Sequence, residues 1–208
     1  LIKLCVFDFD STIMDGETID ILAAANNASE EVANITKRSM NGELDFFESL
    51  TKRVKFLKGL PLLKVNEICK KLPIMPGAGE LIEALKQKGI KVMVFSGGFH
   101  NATDVMQRKL NFDANFANIL HHKDGILSGE VGGEMMFSSS KGDMIDRLCG
   151  LLNLGKDEIM CVGDGANDIS MFRKCDLSIA FCAKDILKKE ATHCVDVKDL
   201  REILKFIS

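Results

Sequence analysis

Acidic residues in this sequence collect where short apolar runs end. The run beginning at Leu4 closes on Asp8-Phe9-Asp10-Ser11-Thr12, the run beginning at Lys91 on Ser96-Gly97-Gly98, and the run beginning at Ile159 on Gly163-Asp164-Gly165-Ala166-Asn167-Asp168. Lys141 opens a helical stretch just before the third run. Gathered at one rim, Asp8, Asp10, Asp164 and Asp168 with Ser96 and Lys141 suit phosphoryl transfer assisted by Mg2+. That ion is hard and is commonly held by one or two carboxylates together with the substrate phosphate; Asp8 and Asp164 can supply those ligands. A carboxylate can also be the nucleophile, dividing one hard displacement into two easier ones through an acyl phosphate. Asp10, two residues beyond Asp8, is then placed to manage the protons. Ser96 and the backbone N–H groups around Gly97 can hold phosphate oxygens, while Lys141 neutralises charge that builds in the transition state.

The elements that must position these groups are written in the apolar pattern. Residues 4–9, 91–95, 159–162 and 177–181 are apolar runs without strict alternation, as in strands covered on both faces of a parallel sheet. Amphipathic helices separate them. Leu81, Ile82 and Leu85 share a face between Pro76 and Gly89, and Met144, Ile145, Leu148, Leu151 and Leu152 form a second stripe. Strand, helix, strand from residue 77 onward predicts right-handed crossovers and a doubly wound, Rossmann-like α/β parallel sheet. Such sheets bind ligands beyond the carboxyl ends of their strands.

Residues 14–76 break this rhythm and read as an inserted helical cap. Phe46, Phe47, Leu50, Val54 and Leu57 follow helical spacing after Asn41-Gly42, as do Val65, Ile68, Cys69 and Leu72 after Pro61. The Phe46-Phe47 pair is expected in the core. The organisation predicted is an α/β catalytic core of residues 1–13 and 77–208 with a helical cap of residues 14–76. A small β-hairpin excursion is expected near residues 119–137, where Asp124-Gly125 is flanked by apolar residues. His121 and His122 are neighbours on a strand, so they point to opposite faces and cannot chelate one ion.

The motifs in this order resemble the haloacid dehalogenase-like phosphatases. Asp8-Phe9-Asp10-Ser11-Thr12 matches that superfamily's opening Asp-x-Asp-x-Thr, Ser96 its second motif, Lys141 its third, and residues 163–168 its acidic fourth. Segments 6–20, 95–99, 163–172 and 179–184 look like those of its phosphoserine phosphatase family, and the likeness covers essentially the whole chain. It implies Mg2+-dependent hydrolysis of O-phospho-L-serine to L-serine and phosphate through an aspartyl phosphate, the last step of serine biosynthesis. Asp8 would be the nucleophile and Asp10 the general acid and then base. The metal would be held by Asp8, Asp164 and the Asp10 backbone carbonyl, with Asp168 in support. Ser96, Gly97 and Lys141 would hold the phosphoryl group, Asn167 would lie beside the metal in its supporting shell and touch the substrate, and Glu17, Met40, Phe46 and Arg53 would line the rest of the pocket. Those cap residues make independent chemical sense: Glu17 can pair with an ammonium, Arg53 can grip a carboxylate with its planar fork, and Met40 and Phe46 can shield both pairs.

Composition narrows the alternatives. A chain of 208 residues with 46% hydrophobic residues and 3 Pro can bury a full core. With 27 Lys plus Arg against 30 Asp plus Glu and no basic run, it has no footprint for nucleic acid. No apolar run reaches the roughly 18–20 residues of a spanning helix, and no signal-peptide pattern opens the chain. A cytoplasmic monomer or homodimer acting on a small molecule is expected. The 7 cysteines contain no Cys-x-x-Cys pair and are expected to be reduced and mostly buried. Gly163-x-Gly165 lacks the third glycine of a dinucleotide loop. Two related chemistries use the same acids: a phosphotransferase that passes the phosphoryl group to another alcohol such as homoserine, and a receiver module that merely accepts phosphate on aspartate, for which a helical cap would be superfluous. A haloacid dehalogenase is disfavoured, since Asp10 would have no leaving-group oxygen to protonate.

Overall fold

β1 (Leu4–Asp8) is buried along its whole length, as a central parallel strand must be when helices cover both faces of the sheet. Its side chains alternate between two apolar layers: Cys5 and Phe7 enter one, Leu4 and Val6 the other. The computed structural model describes residues 1–207. After β1 come four helices, α1 (Thr18–Ala24), α2 (Ser29–Met40), α3 (Phe46–Lys55) and α4 (Leu62–Cys69), before α5 (Ala78–Gln87) and β2 (Lys91–Phe99). The chain then runs through α6 (His100–Leu110), β3 (Ala114–Lys123), β4 (Ile126–Gly133), α7 (Ser140–Leu152), β5 (Ile159–Gly163), α8 (Ile169–Phe172), β6 (Leu177–Phe181), α9 (Asp185–Lys188) and β7 (His193–Val195).

The strands form a seven-stranded sheet in the order β4-β3-β2-β1-β5-β6-β7. It is the expected doubly wound α/β sheet, parallel except where β3 and β4 pair antiparallel at one edge. Strand order reverses between β1 and β5, and the crevice at such a reversal is where open sheets take ligands. Register does the positioning. Asp8 is level with Phe95, so Ser96 lies one step beyond it on β2; Phe7 is level with Val162, so Asp164 lies one step beyond the Asp8 row past β5.

The hairpin excursion expected around Asp124-Gly125 is present, and it grows out of the main sheet: β3 pairs parallel with β2 up to Asn118, and from Ile119 on it pairs with β4 alone. β3 escapes an apolar-run criterion because its sequence mixes Asn and His with apolar residues and its far end is exposed. β7, only three residues long, leaves no pattern to read. The tip of the hairpin reaches the helical insert. Gly59 N donates to Leu127 O at 3.0 Å, Leu127 N to Leu60 O at 2.9 Å, and Leu62 N to Gly125 O at 2.8 Å.

Helical periodicity explains which residues of the insert face inward. On α3 the buried side chains are Phe46, Ser49, Leu50, Arg53 and Val54, and Asp45 caps the helix by accepting from Glu48 N at 2.9 Å. On α2 they are Val32, Ile35, Thr36, Ser39 and Met40. Two expectations fail on the same geometry. Phe47, one residue and about 100° from Phe46, is 38% exposed and stacks on Phe137, with ring centroids 5.1 Å apart. The α7 stripe stops at Leu148, leaving Leu151 81% and Leu152 46% exposed where the helix ends at a left-handed Asn153. Cys5, Cys69, Cys161 and Cys175 are buried, Cys194 is exposed, and all seven cysteines are free thiols. Among the described residues no helix is long and apolar enough to cross a membrane.

Candidate active site

At the carboxyl end of β1, Asp8 is buried and held on one oxygen. Its Oδ1 accepts from Phe9 N at 2.7 Å and from Lys141 Nζ at 2.6 Å. Lys141 also donates to Asp168 Oδ1 at 2.6 Å, and Asp168 Oδ2 accepts from the backbone N–H groups of Asp164 and Gly165 at 3.0 and 3.1 Å. Gly163 permits this close turn: a Cβ there would fall 2.4 Å from the Asp168 carboxyl carbon. Burial alone would drive the Lys141 ammonium toward its neutral form, but the Asp168 and Asp8 carboxylates hold it firmly protonated. Burial and the neighbouring Asp8 push Asp168 up to about 6, even with Lys141 opposing. The same two causes raise Asp164 well above the usual carboxylate range.

Asp10 is fixed from the other side. Thr18, at the first position of α1, donates both its backbone N–H and its hydroxyl to Asp10 Oδ1. The second oxygen, Oδ2, points toward the β2 end, where a Cβ on Gly98 would meet it at 3.0 Å and Ser96 Oγ at 3.1 Å. Ser96 Oγ in turn accepts from Gly98 N at 2.9 Å. Burial raises the Asp10 pKa, against the lowering effect of Thr18. Glu17 Oε1 accepts from Ser11 Oγ at 2.9 Å, with Ser11 in a left-handed turn at φ 57°. Burial, then the nearby Asp10 charge, lift the Glu17 carboxyl well above its ordinary value.

The helical insert closes over this rim. A narrow cavity is walled by Asp8, Asp10, Gly97 and Asn167 below and by Glu17, Met40, Phe46 and Arg53 above, with Ile19, Leu50, Gly98 and Phe99 completing it. Contact across the cavity edge is tight: a Cβ on Gly97 would lie 2.5 Å from Phe46 Cζ, and one on Gly165 would lie 2.8 Å from Met40 Sδ. Arg53, 3% exposed, is a cation carried inward by the apolar face of α3. Burial lowers its pKa, while Glu17 and Asp20 oppose the fall.

The acids fit a divalent cation. One carboxylate oxygen each from Asp8, Asp164 and Asp168 lies within 4.8 Å of the others. Asp164 Oδ1 and Asn167 Oδ1 are buried without a hydrogen-bond partner, a costly state that a cation or substrate would relieve. A cluster of hard oxygen donors of this kind suits Mg2+ or a similar ion.

Residues 2–176 match the family model described as haloacid dehalogenase-like hydrolase. The chain belongs to that family. This hydrolase is 58% identical over 207 residues to a phosphoserine phosphatase of Campylobacter jejuni subsp. doylei, covering 100% of both chains. Its fold superposes with a TM-score of 0.97 on a substrate-bound phosphoserine phosphatase complex, at 47% identity and covering 100% of this chain and 99% of that one. The same figures describe its likeness to a phospho-aspartyl intermediate analogue of a phosphoserine phosphatase.

The structure brings every sequence-predicted site residue of the hydrolase to this rim, and it adds others. Thr18 orients Asp10, Ser11 orients Glu17, and Asn118 on β3 donates to Gly97 O at 3.1 Å and to Met135 O at 3.0 Å, fixing the glycine pair in the bulged end of β2. Thr18 and Ser11 carry no spacing signal of their own. Asn118 could be found only by recognising β3 as a neighbour of β2.

Proposed function

We propose that this enzyme is a Mg2+-dependent phosphoserine phosphatase that hydrolyses O-phospho-L-serine to L-serine and phosphate, completing serine synthesis. One observation carries the reading: one cavity is lined by Asp8 on the sheet side and by both Glu17 and Arg53 on the side of the helical insert. A phosphomonoester that also bears an ammonium and a carboxylate satisfies all three. Relatives and solved structures that bear the phosphoserine phosphatase name support it. Under this reading residues 14–76 are the cap that selects the substrate, and residues 1–13 and 77–208 form the catalytic core.

In the first half-reaction the free oxygen of Asp8 attacks phosphorus and the P–O bond to serine breaks. Asp10 gives its proton to the departing serine oxygen, so no free alkoxide forms. Asp10, now a carboxylate, takes a proton from water as that water attacks the aspartyl phosphate; the Asp8–P bond breaks and phosphate leaves. Lys141, Ser96 and the N–H groups at Gly97 would offset charge on the phosphoryl oxygens, with Asn167 beside them. Asp8, Asp164 and the Asp10 carbonyl would hold Mg2+, with Asp168 steadying Asp164 through its backbone N–H. Bound there, the ion would neutralise phosphoryl charge. Glu17 would hold the substrate ammonium and Arg53 its carboxylate, while Met40 and Phe46 exclude water until serine has left.

The test is phosphate release from O-phospho-L-serine with Mg2+ present, with serine and phosphate appearing in equal amounts. No release overturns the proposal, and a new phosphoester formed on added homoserine would make the enzyme a phosphotransferase instead.

A further inference from the structure

Arg53 is buried at the cavity wall, yet no carboxylate among the described residues pairs with it directly. Two other contacts fix its guanidinium. Nε donates to Ser49 O at 3.1 Å, and Nη1 donates to Thr36 Oγ1 at 3.2 Å. The Thr36 hydroxyl stands 2.7 Å from Asp20 Oδ1 and 3.0 Å from Val32 O. A hydroxyl has one proton to give and lone pairs to receive with. Thr36 therefore accepts from Arg53 and donates to the nearer oxygen, that of Asp20, linking guanidinium and carboxylate through a neutral group.

We propose that Thr36, backed by Asp20, is a positioning residue that aims Arg53 at the substrate carboxylate while keeping Arg53 out of a direct ion pair. The inference rests on the phosphoserine reading of the cavity. Its physical basis is competition. An arginine fork locked onto an internal carboxylate would have to break that pair to grip a ligand, whereas a fork held at Nε and Nη1 by neutral acceptors keeps Nη2 for a second, parallel bond. Thr36 and Asp20 lie on α2 and α1, so the clamp is set by the packing of three cap helices.

Thr36→Val keeps the shape and removes the hydroxyl. The assay compares O-phospho-L-serine with O-phosphoethanolamine, which keeps the phosphate and ammonium but lacks the carboxylate. With Thr36→Val, KM for phosphoserine is expected to rise about tenfold at little-changed kcat, and the kcat/KM preference for phosphoserine to fall about tenfold. Thr36→Ser is expected to restore both. An equal loss on both substrates, no change in preference, or failure of serine to restore it overturns the proposal. If Thr36→Val does not fold, Asp20→Asn carries the same comparison, with a fall in preference expected and an unchanged preference decisive against the idea. Arg53→Ala separates the two levels of inference. If it leaves the preference intact, the carboxylate clamp itself is wrong; if it abolishes the preference while Thr36→Val and Asp20→Asn do not, only the positioning role falls.

Discussion

Lys141 Nζ lies 2.6 Å from Asp8 Oδ1, although 133 positions separate the two residues in the chain. The same ammonium lies 2.6 Å from Asp168 Oδ1, so one buried cation ties the end of β1 to the turn after β5. It also commits one oxygen of Asp8 and leaves the other available. Lys141→Met would strand two buried carboxylates without their partner. Breaking a buried pair in this way costs about 3–5 kcal/mol, which urea unfolding in the presence of a chelator will show. With Mg2+ added, kcat is expected to fall by at least about a hundredfold, since a charge-stabilising donor is lost. An unchanged kcat would remove Lys141 from the reaction.

The two aspartates of the β1 turn should fail differently. Asp8→Asn removes the proposed nucleophile and is expected to abolish turnover on every phosphoester. Asp10→Asn removes the proposed proton carrier and is expected to cost about 10^2–10^4 in kcat on phosphoserine. On p-nitrophenyl phosphate, whose leaving group needs no proton, Asp10→Asn should give a burst of one equivalent of nitrophenolate followed by slow turnover, because only the hydrolytic half still needs a base. Absence of that burst would show that Asp10 does not serve the second half-reaction.

A bound cation would compete with protons for this group of neighbouring carboxylates. Burial and the proximity of Asp8 raise Asp168 from its ordinary 3.8 to about 6 and lift Asp164 well above its own usual value. A folded-state pKa above the unfolded one means that the folded protein binds more protons, so these groups make the metal-free protein less stable as pH rises from about 4 through 6 and beyond. Cation binding requires the ionised carboxylates and has the opposite dependence. At about pH 7.5 a hundredfold excess of Mg2+ over Kd is expected to raise the unfolding midpoint by about 5–10 °C. At about pH 5 the same concentration should raise it by less than half as much. Thermal melts at the two pH values decide this, and an equal shift at both would place the ion elsewhere.

Phe47 of α3 and Phe137 of the segment between β4 and α7 stack at 5.1 Å across the boundary between insert and sheet, with Phe137 58% exposed. An aromatic pair of this kind contributes about 0.5–1.5 kcal/mol beyond its buried area. If the stack helps hold the cap shut, Phe137→Ala should raise KM for phosphoserine by about 2- to 10-fold while changing kcat little, since the reacting groups are untouched. Steady-state kinetics measure both constants. A fall in kcat with KM unchanged would mean that the stack has no part in closure.

The sequence alone determined the chemistry at the strand ends and the inward faces of the helices. Asp8 and Asp10 flank one residue at the end of a continuous apolar run, and the 3.6-residue period of α3 sends Arg53 inward with Phe46 and Leu50. Such rules work because they reach only a few residues along the chain. Tertiary structure decided what depends on separate segments meeting. It made β3 a neighbour of β2, set Phe137 against the outward-facing Phe47, and exposed Leu151 and Leu152 beyond the last buried turn of α7. It also divided two similar acids, giving Asp168 a lysine and two backbone N–H groups while leaving Asp164 Oδ1 with none. The two N–H groups belong to the local turn, but Lys141 is 27 positions away, and where its helix begins beside the turn is not encoded in any local pattern.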